Sequence, residues 1–223
     1  MSNLFLTNSF AFAEIFGNFI SKWYLYLVLI LSLAIIFTVF ALRKEQPRMK
    51  LSKTQTICHV SVFTALCAVV NAFTFFPASY ISISLMATVC FVAGFLYGAK
   101  NAFVIGFMGD LITAIILPAG PYNPLIGLAS GLMGMIPAII LKRTGNIYMK
   151  IALSTIITLI ICTSGINTFG LWLVYGIGKK TFFAYLIARL PFQILVASGN
   201  AFLSAIIIRI LIRIVPKNKL NPF

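Results

Sequence analysis

The sequence predicts an all-α membrane protein: a core of six transmembrane helices preceded by one additional N-terminal transmembrane helix. Three observations predict it. First, 61% of the 223 residues are hydrophobic and 9% are charged, more apolar surface than a soluble domain of this size can hide. Second, the apolar residues form continuous runs of the length that crosses a bilayer as a helix, not the short alternating segments of a membrane β-barrel. Third, the basic residues gather in alternate connections.

The runs fall at about 20–42, 54–75, 80–98, 101–118, 124–141, 147–175 and 182–214. The last two are long, which predicts tilt or interfacial extension. The N-terminal run lacks a basic leader, is long, and is followed by positive charge. It is expected to be a retained anchor and not a cleaved signal. The basic segment ALRKEQPRMKLSK, 41–53, separates it from the rest. Residues 1–53 are thus expected to be an extension with a cytoplasmic linker, 54–214 the core, and 215–223 a short basic tail. No repeat of solenoid type is visible.

A net charge of +14 first suggests nucleic acid. Its placement does not. Arg43, Lys44, Arg48, Lys50 and Lys53 fill the first connection; Lys100, then Lys142, Arg143 and Lys150, mark the third and fifth; Arg209, Arg213, Lys217 and Lys219 mark the C-terminus. The other side holds only Lys22, Lys179, Lys180 and Arg189. The positive-inside rule then puts the N-terminus outside a cell membrane and the C-terminus in the cytoplasm. Topology and contact with anionic lipid account for the charge, and no nucleic-acid partner is expected.

Three core connections face outward: FTFFPASY (73–80), LPAGPYNP (117–124) and VYGIGKK (174–180). Each combines Pro or Gly with aromatic residues. Such residues end helices and set turns, and interfacial aromatics are common. Their concentration in all three outer connections predicts a lid over an outward-facing pocket.

Depth sorts the polar residues. Asp110 lies eight residues from the predicted end at 118, roughly 12 Å down at 1.5 Å per residue. Asn167 lies roughly as deep, Arg189 about 10 Å down, and Asn71 about 6 Å. Gln193 is one turn below Arg189. These residues come from four predicted spans and share one band. A charge near mid-bilayer costs about 2.5–3.5 kcal/mol on insertion scales and needs a partner, protein or water. Two arrangements meet that need: a buried Asp110–Arg189 bridge that fixes helix packing, or a polar pocket in which Arg189 meets an anionic ligand group. The two can coexist. Asn71 and Asn167 can bond a heterocycle's edge, and Phe76, Tyr122 and Trp172 can stack on it.

Small residues form stripes. Gly98, Ala102, Gly106 and Asp110 recur every four residues, and Gly127, Gly131 and Gly134 do much the same in the next run. Both predict close internal packing. Ser61/Ala65 and Thr64/Ala68/Ala72 form similar stripes on the first core helix, where an external helix and an internal one are equally good partners. Cys58, Cys67, Cys90 and Cys162 match no metal or disulfide spacing and are expected to be packing residues. No phosphate-binding loop occurs. No second carboxylate accompanies Asp110, and the single histidine, His59, lies at the other end of its span. Neither a catalytic pair nor a metal site is expected.

The segments GDLITAIILPAGPYNP (109–124), INTFGLWLVYG (166–176) and ARLPFQ (188–193) carry a resemblance. The region from about 52 to 214 resembles the S-components of energy-coupling factor (ECF) vitamin transporters, six-helix substrate-binding membrane subunits. The first segment is similar to a G-D-L…P-x-G-x-Y-x-P pattern of the superfamily. The other two look like the N-T-x-x-L-W…Y-G and following Arg of its folate branch. TFGLW here is one residue longer than that pattern, and LIGLASG follows GPYNP where P-G-F-T is common. The resemblance implies binding of a vitamin from outside, with folate or a related heterocycle first and riboflavin or thiamine as alternatives. It implies release after association with a coupling protein and ATPases on other chains, so that the chain needs no cofactor and is no enzyme. It also implies that Asn167, Trp172 and Arg189 line the pocket, that 73–80 and the turn after Asp110 are gates, and that Ser61/Ala65 or Thr64/Ala68 meets the coupling protein. The competing reading is a stand-alone ion-coupled carrier or channel that uses Asp110. A lipid-modifying enzyme and a purely structural subunit are more distant alternatives.

Overall fold

The structure, a computed structural model, describes residues 51–78, 81–117, 122–142, 145–173 and 181–215, together with Leu27, Ile30, Leu31, Ala34 and Met49. Five helices in these residues are long and apolar enough to cross a membrane: α1 (Lys53–Ala72), α2 (Met86–Ile116), α3 (Pro124–Leu141), α4 (Ile147–Leu171) and α5 (Phe182–Ile214). Most of the predicted anchor 20–42, its basic linker, the connection 174–180 and the tail 216–223 lie outside the described residues. Leu27, Ile30, Leu31 and Ala34 are helical.

Polar caps start three of the helices. Ser52 Oγ accepts from the Gln55 amide at 3.3 Å while Gln55 Oε1 accepts from the Ser52 amide at 3.1 Å, a reciprocal capping box. Asn123 caps α3 by accepting from Leu125 N at 3.0 Å, with Pro124 as the first helical residue. Asn146 does the same for α4 through Tyr148 N.

α2 is not straight. Gly98 has φ 81° and ψ 174°, a backbone conformation open to glycine and strained for other residues. Cys90 Sγ lies 4.0 Å from the Ser130 carbonyl, and a side chain at Gly106 would strike that same carbonyl. In a straight helix those two positions would stand about 24 Å apart. The chain therefore reverses at Gly98, and the arms 86–97 and 99–116 run antiparallel. The stretches read from sequence as 80–98 and 101–118 are these arms. Gly98 makes the turn and is not part of the packing stripe.

The other small residues do pack. A Cβ at Gly134 would lie 2.6 Å from the Ala102 carbonyl, and one at Gly94 would lie 2.6 Å from the Gly134 carbonyl. α3 is thus wedged against both arms of α2, backbone on backbone. α1 lies along the other side of the hairpin. Cys67 touches Cys90 across 3.9 Å, and Thr113 Oγ1 donates to the Ala68 carbonyl at 3.0 Å.

Three expectations are corrected here. Residues 75–78 and 81–83, expected as loop and helix start, form two antiparallel strands, β1 (Phe75–Ala78) and β2 (Ile81–Ile83). Their register slips between Phe75 and Ala78, around Pro77, which cannot donate to a ladder. α4, expected as a regular helix over 147–175, is π-helical from Leu159 to Asn167. Finally, Thr64 and Ala68 are buried, so they are not open to a partner protein, whereas Ser61 and Ala65 are exposed.

Leu96, Tyr97, Leu141, Ile151 and Ile208 pack in one cluster. Lys100 follows the Gly98 turn, and Lys142 and Lys150 flank the connection from α3 to α4 at the same end of the bundle, where Gly94 packs on Ala138. Lys150 Nζ donates to the Leu141 carbonyl there at 3.4 Å. His59 is at the same end, 3.1 Å from the Tyr97 hydroxyl. Leu125, Leu173 and the partly buried Phe169 and Trp172 form a separate cluster at the far end.

Candidate functional site

At that far end the polar residues predicted as one band form two groups. In the first, Asn71 Nδ2 at the end of α1 donates to Asp110 Oδ1 on α2 at 3.2 Å. Ser130 of α3 also faces the carboxylate. Thr74 Oγ1, where the chain leaves α1, donates to the Asn71 carbonyl at 2.5 Å. Asp110 thus ties the base of the strand pair to α2.

The second group lies between α4 and α5. Arg189 is 3% exposed, yet it has no carboxylate partner among the described residues. Its Nη1 donates to Thr168 Oγ1 at 3.4 Å. Gln193 Nε2 donates to the same oxygen at 3.2 Å, while Gln193 Oε1 accepts from Ser164 at 3.2 Å. The guanidinium carbon stands 5.8 Å from the Tyr185 ring centroid, within cation–π range. Among the described residues, Arg189 Nε and Asn167 Oδ1 are buried and have no hydrogen-bond partner. The Asp110–Arg189 bridge considered above is not formed; each residue belongs to its own network.

The start of α3 stands between the groups. Asn123 Nδ2 donates to the Gly170 carbonyl of α4 at 2.9 Å, which fixes α3 against α4. The Tyr122 hydroxyl sits where a side chain at Gly127 would be. Burial, and then the charge of Asp110, push the Tyr122 phenol up to about 12, so it is a neutral donor at any ordinary pH. Trp172 stacks near Phe169 at 6.1 Å and meets Phe182 edge-on at 5.9 Å, which joins the tops of α4 and α5. Phe76 lies in β1. Ser164 did not stand out in the sequence, and Thr168 and Asn123 stood only within the segments INTFGLWLVYG and GPYNP, with no role of their own. Asn123 had a signal, since Asn before Pro at the head of an apolar run marks a cap.

Among the described residues the buried cation has no charge-neutralising partner, it stands over an aromatic ring, and a donor and an acceptor are left unsatisfied. Such an arrangement suits binding. The family model for the ECF transporter, substrate-specific component, matches residues 55–208. This chain belongs to that family. No curated protein matches it. Among solved structures, the chain is similar to the crystal structure of FolT bound with folic acid, at 19% identity and a TM-score of 0.61, over 68% of this chain and 91% of that one. It is also similar to the S component of a bacterial ECF transporter, at 17% identity and a TM-score of 0.61, over 73% of this chain and 98% of that one. At these identities the two neighbours establish a shared fold. This substrate-specific component is therefore a membrane protein of a transport family, built on the S-component fold.

Proposed function

We propose that this substrate-specific component binds a vitamin, folate or a related heterocycle, from the outer face of the cell membrane. One observation carries the reading: among the described residues a buried arginine has no carboxylate partner and its Nε has no hydrogen-bond partner, as is also true of the Asn167 side-chain oxygen on α4. A ligand that supplies an acceptor to Nε and a donor to Asn167 satisfies both. Trp172, packed against Phe169 and Phe182, and Tyr122, at the head of α3, offer rings and a neutral hydroxyl at the same end of the bundle. The fold likeness to a protein that holds folic acid supports folate as the first candidate. In this reading the two arms of α2 count as two crossings, the core crosses six times, and the extension adds a seventh helix. The N-terminus is then outside and the C-terminus inside. Ser61 and Ala65, exposed on α1 beside Val62 and Leu66, meet the coupling protein, and ATPases on other chains supply the energy.

The test is mass spectrometry of small molecules released from the purified full-length protein and from Arg189→Ala. Stoichiometric folate on the wild type and none on a folded variant supports the reading. A different heterocycle replaces folate but keeps the binding role. No bound compound, and no binding from a vitamin panel, overturns it and favours an ion-coupled carrier that uses Asp110.

A further inference from the structure

We propose that Thr168 is the positioning residue of the candidate site, delivered there by the π-helical turns of α4. The inference rests on the binding reading above. π-helical turns are rare and occur frequently at functional sites. Here they run from Leu159 to Asn167 and end directly before Thr168, whose side chain is 0% exposed.

The hydroxyl of Thr168 donates to the Thr163 carbonyl, five residues back, at 2.9 Å. In an α-helix a threonine hydroxyl turns to a carbonyl three or four residues back, as Thr155 does to Ile151. The π register therefore supplies a different acceptor and aims the hydroxyl elsewhere. With its proton held, the oxygen keeps two acceptor sites. Arg189 Nη1 and Gln193 Nε2 occupy them. Ser164, within the π-helical turns, holds the other end of the Gln193 amide. One buried oxygen thus sets the direction of both α5 side chains. Arg189 Nε is left without a hydrogen-bond partner among the described residues. Thr168 touches no ligand in this scheme; it decides which edge of the guanidinium the ligand meets.

The experiment is calorimetric titration of the purified full-length protein with folic acid, or with whichever vitamin the wild type carries. The variants are Thr168→Val, Thr168→Ser, and Thr168→Val combined with Arg189→Lys. Thr168→Val is expected to weaken binding about 10- to 100-fold, the range for losing hydrogen bonds to a charged group. Thr168→Ser, which keeps the hydroxyl, stays within about threefold. In the Arg189→Lys background the valine substitution costs little more, because the lysine lacks the planar fork that the hydroxyl orients. Wild-type affinity in Thr168→Val, or an equal loss in both backgrounds, overturns the positioning role while the binding function stands. Failure of the wild type to bind any vitamin removes the function and this inference together. Should Thr168→Val not fold, Thr168→Ala replaces it with the same expectations.

Discussion

The two halves of this bundle are held together by opposite means. Between α2 and α3 the contact is backbone on backbone: Gly94, Gly106 and Gly134 leave no space for even a Cβ. Between α4 and α5 it is polar below the aromatic contact of Phe169 and Trp172 with Phe182. The buried face of α5 is Arg189, Gln193, Asn200 and Ser204, with only Ile208 apolar. It meets Thr168 and Ser164 near one end, and Asn200 bonds Thr88 of α2 at 2.7 Å farther down. Lipid tails are as apolar as leucine, so burial alone gives helices little reason to associate in a membrane. Close packing supplies dispersion on one side, and directed hydrogen bonds supply cohesion on the other. The first cannot yield without losing the fold. The second can exchange partners, which is what a ligand site requires.

The sharpest way to break this comparison is a steric one. Gly106→Val should cost about 3 kcal/mol or more, because backbone and not a flexible side chain stands in the way. The readout is loss of the monodisperse peak in detergent or a collapse of the thermal midpoint. Gly199 is the control: nothing lies within 4 Å of the Cβ it would carry. Gly199→Ala should raise the midpoint slightly, since alanine is favoured over glycine in a helix by up to about 1 kcal/mol. Equal damage at both positions would dissolve the distinction between the halves.

Next in size is Arg189→Lys. It keeps the charge but not the planar fork, so ligand affinity should fall about tenfold or more while the ligand-free midpoint stays within a few degrees. A large drop in midpoint without loss of affinity would make Arg189 a packing residue. Asp110→Asn should act less, because the amide still accepts from Asn71; vitamin binding is expected within about threefold, the loss of one partly buried charge-assisted bond being modest. Abolished uptake with intact binding would instead favour the ion-coupled alternative. The smallest effect concerns pH. The Tyr122 phenol is raised in the folded protein to about 12 from an ordinary value of about 10. The folded state therefore holds that proton more tightly, and stability declines as pH rises above about 10. Tyr122→Phe should flatten that decline, and an unchanged alkaline profile would show that folding does not raise the phenol.

Much of the architecture was legible in the sequence for physical reasons. α3 and α5 begin and end where their apolar runs do, at 124–141 and 182–214, because a cap or a turn residue bounds each run. The glycine stripe was legible because only close approach explains glycine every four residues in a helix. The strand pair β1–β2 was not, since Pro77 reads as a loop signal and the strands are too short to show alternation. The π-helical turns leave no periodic trace in so uniformly apolar a run. In the site, Asn167, Arg189 and Gln193 announced themselves by polarity at depth. Thr168 did not: hydroxyls in such helices usually bond their own backbone, as Thr64 does with Val60, so a threonine says little about where it points.

Gly98 also fixes where one arm of α2 ends and the other begins. The arms from Met86 to Tyr97 and from Ala99 to Ile116 follow one another with no loop between them, so the reversal has no slack and rests on a φ of 81° at one residue. A side chain there strains the backbone, and the strain passes to α3, which is wedged against both arms.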